Sequence, residues 1–383
     1  MIITPHNHEW LPDFRRSTYI IGPSGSGKST LMYNWCADLL RDHGVGVIDP
    51  HGDLIEDILK IIPKHRLKDT IYFSPVEFPI GINLVEYAPG DTLKIEHIVD
   101  AFKGVFHIPP ESERLLRHLF ILHSYQTQST LIDTLKTLRN ESYLKKNLYK
   151  CEDSLTRDFW TQEYPLWFKT PRFQADRLDP VLTAVETLLA HPALRRMFSV
   201  RKSKLDFRKI MDRNQIFLCN LSRGSLGDTA SSILGALLIA QFRSAAFARS
   251  TLFERPHFLL MIDEFHEFAG ERVLSSILSG TRKYGLSLAL AHQYSGQSKA
   301  VEAALANCGT KIAFRTDDEI IQRVFRHDFS EIMRGDVIVK DNNHEFVATP
   351  KPKYLPTLED RLTLYARMSQ IKTHTKSHFG VTK

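Results

Sequence analysis

The chain has 383 residues, 43% hydrophobic and 25% charged, with a formal net charge of +6; this is ample for two or three domains with a real core and excludes a disordered chain or a disulfide scaffold. The positive balance fits a polyanionic partner without requiring one, and the four cysteines, Cys36, Cys151, Cys219 and Cys308, lie too far apart for a zinc or redox motif. There is no run of about 18 apolar residues and no apolar signal core at the N-terminus, so the expectation is a cytoplasmic protein with no membrane span of its own, reaching a membrane only through a partner.

In chain order, Tyr19 to Ile21 closes a short β-rich run, and Gly22 to Thr30 follows as a glycine-rich turn. Leu31 to Arg41 reads as an amphipathic helix, Val45 to Ile48 as a buried strand ending at Asp49-Pro50-His51-Gly52-Asp53, Leu54 to Ile62 as a helix stopped by Pro63, and Thr70 to Phe73 as a third strand. From about Ile95 to Met197 strand signals fade and helical patterns dominate, as in Arg114 to Tyr125, Leu131 to Leu138 and Val181 to Leu189. Alternation then resumes. Gln215 to Cys219, His257 to Ile262, Leu286 to Leu290 and a last strand, Ile312 to Phe314, are separated by helices over Ser225 to about Arg249, Leu274 to Tyr284 and Val301 to Ala306.

Continuous apolar strands with helices between them imply a parallel sheet covered on both faces. The expected fold class is α/β, a mainly parallel central sheet with an inserted helical subdomain. The expected organisation is residues 1–94 for the first part of the core, 95–205 for the insertion, 206–350 for the second part of the core and 351–383 for a basic C-terminal tail. That tail has Arg361, Arg367, Lys372, Lys376 and Lys383 with no acid from Arg361 onward.

Gly22-Pro23-Ser24-Gly25-Ser26-Gly27-Lys28-Ser29 matches G-x-x-x-x-G-K-[ST] in full. Glycines let the backbone curl so that its N–H groups face a phosphate chain, and the helix N-terminus adds partial positive charge. Lys28 is placed to reach β- and γ-phosphates, and the Ser29 hydroxyl to ligate magnesium, so ATP and Mg2+ are the expected cofactors. Phe258 to Ile262 then delivers Asp263-Glu264 to a strand's carboxyl end. Asp263 suits magnesium, directly or through water, and Glu264 suits the general base for an attacking water. Gln293, past the next buried strand, is placed to report on a γ-phosphate, although a glutamine there is more often ordinary surface. Arg282 and Arg315 both suit an arginine finger, and sequence alone does not choose between them.

At these residues the chain resembles the HerA–FtsK superfamily of DNA-pumping P-loop ATPases, in particular the type IV secretion coupling proteins and their HerA-like relatives. The resemblance rests on the ordered runs Ile21 to Thr30, Asp49-Pro50-His51-Gly52-Asp53-Leu54, Asn220 to Gly227, Ile262-Asp263-Glu264-Phe265, Arg282-Lys283-Tyr284-Gly285, Ala291-His292-Gln293 and Asn307 to Thr310 leading to Phe314-Arg315. It covers roughly residues 17 to 325 and implies a RecA-like core in a hexameric ring, with ATP bound between subunits. It also implies that Arg282 acts on a neighbour's nucleotide, with Arg315 as the second choice, and that Asp49 lies at a strand tip near the site and helps order magnesium or its water, as a third metal-site residue beside Ser29 and Asp263; as a bare sequence, Asp49-Pro50 reads equally well as a turn. The usual N-terminal membrane helices or β-barrel are not expected, since the P-loop begins at residue 22.

The function expected is an ATP-driven motor translocating DNA in conjugative transfer, packaging or DNA processing, as a homo-oligomer working beside a relaxase, nuclease or secretion component. The alternatives are a secretion-system ATPase that moves protein and an NTP-gated module that scaffolds an effector.

Overall fold

The computed structural model of the chain describes residues 2–3, 9–86, 88–89, 91–268, 271–293, 299–341, 344–352 and 358–381. The chain divides into two compact units. The first comprises Met1–Phe73, Phe207–Ser225 and Ala245–Ser377, and the second Ser74–Asp206, Leu226–Ser244 and His378–Lys383.

The first unit carries the sheet. Its strands are β1 (Ile2–Ile3), β2 (Glu9–Trp10), β3 (Thr18–Ile21), β4 (Gly44–Asp49), β5 (Thr70–Phe73), β6 (Ile216–Asn220), β7 (Phe258–Ile262), β8 (Leu286–His292), β9 (Thr310–Phe314), β10 (Val337–Asp341) and β11 (His344–Pro350). Among the described residues they form one eleven-stranded sheet in the order β2-β1-β11-β10-β9-β3-β8-β7-β4-β6-β5. From β9 to β5 every pairing is parallel. Strands β3, β4, β5, β7 and β8 are buried along their whole length, as expected of apolar strands covered on both faces. Because they run in one direction, the ends of β3, β4, β7 and β8 share one edge of the sheet.

Ile312 to Phe314 is not the last strand. Hairpin β10–β11 pairs antiparallel to β9 and is followed by β1 and β2. β10 buries Val337, Ile338 and Val339, whereas β11 is exposed or half-buried except at Ala348, as an antiparallel strand with one solvated face can be.

The segment expected as a basic C-terminal tail contains a packed helix. Leu358–Phe379 is a helix whose Ile371 and Thr375 side chains are fully buried. Thr375 Oγ1 accepts the Tyr72 N–H at 3.1 Å, satisfying a donor on β5, the edge strand of the sheet. Lys372 Nζ lies 4.6 Å from the centre of the Tyr72 ring and 3.4 Å from Glu56 Oε1. Part of the basic excess is therefore structural. Lys383 lies outside the described residues.

The second unit is helical and starts at Ser74, ahead of the expected residue 95. Its helices include Thr92–Phe106, Pro110–Ser124, Leu131–Arg139 and Asp179–Ala190. Phe159, Trp160, Tyr164 and Trp167 pack as an aromatic cluster. Helix Asp228–Phe247 is long and apolar enough to cross a membrane, but 78% of its most apolar window is buried, which accounts for a helix apolar on every side. The single helix expected over Ser225 to Arg249 is interrupted at Gly227, leaving a short turn, Arg223–Leu226, ahead of it.

If the C-terminal helix is part of the folded unit, Ile371→Ala lowers unfolding free energy by roughly 2–4 kcal/mol in a urea titration. An unchanged midpoint would mean that the helix does not pack.

Candidate functional site

Strand β3 ends at Ile21, and the loop from Gly22 turns into helix Lys28–Leu39, whose N-cap Gly27 has φ 111. A side chain at Gly22 would place its Cβ 2.6 Å from both Phe314 Cβ and Ser26 Oγ, so only glycine lets the loop lie this close to the end of β9. Gly22 N–H donates to His292 O of β8 at 3.2 Å, tying the loop to the sheet edge. Lys28 is buried, and its Nζ donates to Gly22 O at 2.7 Å and Pro23 O at 3.1 Å. The curled loop thus folds around its own ammonium group. Burial lowers the Lys28 pKa, and the charges of Glu264 and Asp263 oppose that shift.

Opposite the loop stands the acidic pair. Ser29 Oγ lies 3.5 Å from Asp263 Oδ2, within donating range, so residues 234 positions apart meet at the edge. Asp263 is buried, and Oδ1 accepts the Glu264 N–H at 3.1 Å. Burial, reinforced by the charges of Asp49 and Glu264 and opposed by Lys28, pushes its pKa up to about 6. Glu264 takes φ 47, a left-handed conformation uncommon outside glycine. Its buried carboxylate accepts Gln293 Nε2 at Oε1, at 2.6 Å, while Oε2 is buried without a hydrogen-bond partner.

Asp49 ends β4, next to β7, and Asp263 N–H donates to Ile48 O at 3.0 Å. Its Oδ1 accepts the His51 N–H at 2.8 Å, and Oδ2 those of Leu54 and Ile55 at 3.0 and 3.4 Å. Both oxygens are engaged by backbone amides, so Asp49 holds the turn into helix Asp53–Ile61 and acts on the site through its charge. That burial also raises its pKa, with the amides opposing the shift. The hydrogen bonds favour the turn reading of Asp49-Pro50 over direct ligation of a metal.

The two arginines part company. Arg315 follows β9 and lines a cleft of about 340 Å³ with Pro23, Ser24, Gly25, Ser26 and Arg334. Arg334 has no sequence signal; the pairing of Val337 with Phe314 brings its turn opposite the end of β9. Arg282 lies in the 3-10 turn Arg282–Tyr284, just before β8 begins, and is exposed. The seven residues of β8 put it about 20 Å from Gln293 at about 3.3 Å per residue, at the opposite edge from this chain's own P-loop. Arg249 Nη1 donates to Tyr284 O at 2.9 Å, and Arg255 Nη1 to Lys283 O at 3.2 Å, which fixes that turn.

These features suit a triphosphate with a divalent ion: a glycine-lined loop, an enclosed ammonium, and a serine hydroxyl facing a carboxylate. Among the described residues no cluster of three or more His, Cys, Asp or Glu is arranged to enclose a metal; magnesium commonly uses one or two protein ligands and completes its shell from phosphate and water.

A carboxyl group whose pKa is raised by folding favours the native state when protonated. It loses that contribution as pH rises from its unfolded value, about 4, through about 6. Asp263→Asn is therefore expected to raise the thermal midpoint of the nucleotide-free protein above pH 7 and to leave it unchanged near pH 4. An equal shift at both pH values would contradict this account of Asp263.

No protein-family model and no curated protein sequence matches the chain. Solved structures do. Plasmid coupling protein TrwB in complex with ADP and Mg2+ aligns with a TM-score of 0.61 at 14% identity, over 90% of this chain and 87% of that one. The TrwB complex with the non-hydrolysable ATP analogue ADPNP gives 0.60 at 14%, over 89% and 86%. VirB4 of Thermoanaerobacter pseudethanolicus gives 0.58 at 13%, over 94% and 97%. Likeness at this level of identity speaks to architecture, and the architecture is the RecA-like P-loop NTPase fold shared with TrwB and VirB4.

Proposed function

We propose that this chain is an ATP-hydrolysing motor of the HerA–FtsK kind, working as a ring on DNA. One contact carries the ATPase reading: Ser29 Oγ facing Asp263 Oδ2 at 3.5 Å, which brings the phosphate-binding loop and the acidic strand end within reach of one ion. TrwB, the coupling protein of like fold, has been solved with ADPNP and with ADP and Mg2+, and this supports ATP and magnesium here.

Ser29 and Asp263 would hold magnesium, which when bound draws charge from the β- and γ-phosphates. The Lys28 ammonium, held by two loop carbonyls, exchanges them for phosphate oxygens of stronger hydrogen-bonding power. Glu264 accepts the proton of an attacking water. Gln293 holds Glu264 Oε1 and so couples the end of β8 to the base. Arg315 and Arg334 lie beside the loop in the same chain. Arg282, presented at the far edge, suits the nucleotide of a neighbouring copy, so the ring reading and this placement support each other. The net charge of +6 supports a polyanion as the translocated partner.

The test is ATP turnover with single- and double-stranded DNA at two salt concentrations, alongside native mass with and without ATP. The expected result is an oligomer whose turnover rises with DNA and whose stimulation falls with salt. Glu264→Gln should lower turnover by about 10²–10⁴-fold while ATP still binds. Equal turnover with and without DNA in an intact oligomer would overturn the DNA reading, and full turnover in Glu264→Gln the catalytic one.

A further inference from the structure

Two buried atoms at the site lack hydrogen-bond partners and face each other: Glu264 Oε2 and His266 Nδ1, 3.7 Å apart. On the other side of the ring, His266 Nε2 lies 3.4 Å from Glu267 Oε1. Glu267 is in turn ion-paired through Oε2 with Arg223 Nη2. The imidazole is locked in place by an edge-on contact with the His292 ring, centroids 4.3 Å apart. Arg223 opens the short turn Arg223–Leu226, and its N–H donates to Pro50 O at 3.0 Å. A chain of four side chains therefore runs from this turn to the catalytic base.

The chain has one proton too few to satisfy both ends. Burial, together with the Arg223 charge, pushes the His266 imidazole down to about 4, so near neutrality it carries a single N–H. Two carboxylates compete for it. The guanidinium of Arg223 already supplies Glu267 with a charged donor, the strongest kind available to a carboxylate. With that demand met, the imidazole proton goes to the carboxylate oxygen left buried and without a partner, Glu264 Oε2. Without Arg223, Glu267 becomes the stronger claimant.

We propose that His266 is a positioning residue for Glu264, donating its Nδ1–H to Oε2 once a small side-chain shift closes the 3.7 Å between them to hydrogen-bond distance, and that Arg223, by pairing with Glu267, decides which carboxylate receives that proton. Gln293 and His266 then grip the two oxygens of the base from opposite sides, leaving the remaining lone pairs for water. The inference rests on the assignment of Glu264 as the base and deepens it: a displacement of the Arg223 turn alters the orientation of Glu264 without touching the P-loop.

The test uses the full chain. His266→Asn keeps an N–H close to the Nδ1 position, whereas His266→Gln places its amide near Nε2 and His266→Ala has neither. The expected result is a kcat lowered about 10–100-fold in His266→Ala and His266→Gln, near wild type in His266→Asn, with KM for ATP and ATP affinity within twofold throughout. Arg223→Ala should lower kcat likewise, and the pair Arg223→Ala/His266→Ala should be no slower than His266→Ala alone. In parallel, nitrogen-15 NMR of histidine-labelled protein, assigned with His266→Ala, should show the Nδ1–H tautomer in the wild type and the Nε2–H tautomer in Arg223→Ala. An unchanged tautomer, equal rates for His266→Asn and His266→Ala, or multiplicative losses in the double variant would each overturn the proposal. A wild type that turns over no ATP would instead overturn the ATPase reading, and the NMR comparison would still decide the role of Arg223.

Discussion

Three carboxylates, Asp49, Asp263 and Glu264, are buried at one edge of the sheet against a single enclosed ammonium, Lys28. Desolvation disfavours each charge, and like charges at adjacent strand tips disfavour one another. The structure meets this imbalance in three ways. Asp49 is neutralised in part by backbone amides, Glu264 accepts a side-chain amide, and Asp263 takes the remaining strain as a pKa raised to about 6. A divalent cation shared between Asp263 and the Ser29 hydroxyl would relieve what is left.

The sheet makes that convergence possible. Parallel strands in the order β3-β8-β7-β4 send their carboxyl ends to the same edge, where ligands bind in open α/β sheets. Gly22, Asp49, Asp263 and Gln293 each sit at or just past such an end. The opposite edge receives the strand entrances, and with them Arg282, so one parallel sheet can serve one nucleotide with one edge and present an arginine with the other. The antiparallel strands add Arg334 beside the loop, and the C-terminal helix covers β5.

Much of this was legible in the sequence. The P-loop, the acidic pair and Gln293 each follow an apolar strand that period and length identify, and the parallel class followed from their uninterrupted burial. The antiparallel extension was not legible, because β10 is buried only over its first three residues and β11 is mostly exposed or half-buried, so neither gives the continuous apolar run of the parallel strands. The C-terminal helix read as a tail because its apolar positions, Leu364, Met368 and Ile371, are sparse among basic residues. Asp49 was correctly placed at a strand tip, but whether its oxygens faced a ligand or the backbone depends on the turn geometry of residues 50 to 55. His266, Glu267 and Arg223 were invisible as a group, since 43 positions separate Arg223 from His266 and only the fold joins them.

In the proposed ATP complex, Ser29 and Asp263 hold one metal ion against the bound triphosphate. Metal-directed backbone cleavage reads this most directly: Fe2+ is substituted for Mg2+ in the ATP complex, ascorbate and peroxide are added, and the cut sites are mapped by mass spectrometry. The expected result is two clusters of cuts, one around Lys28 to Thr30 and one around Ile262 to Glu264, both dependent on ATP. Cleavage confined to one of these segments, or centred elsewhere in the chain, would contradict it.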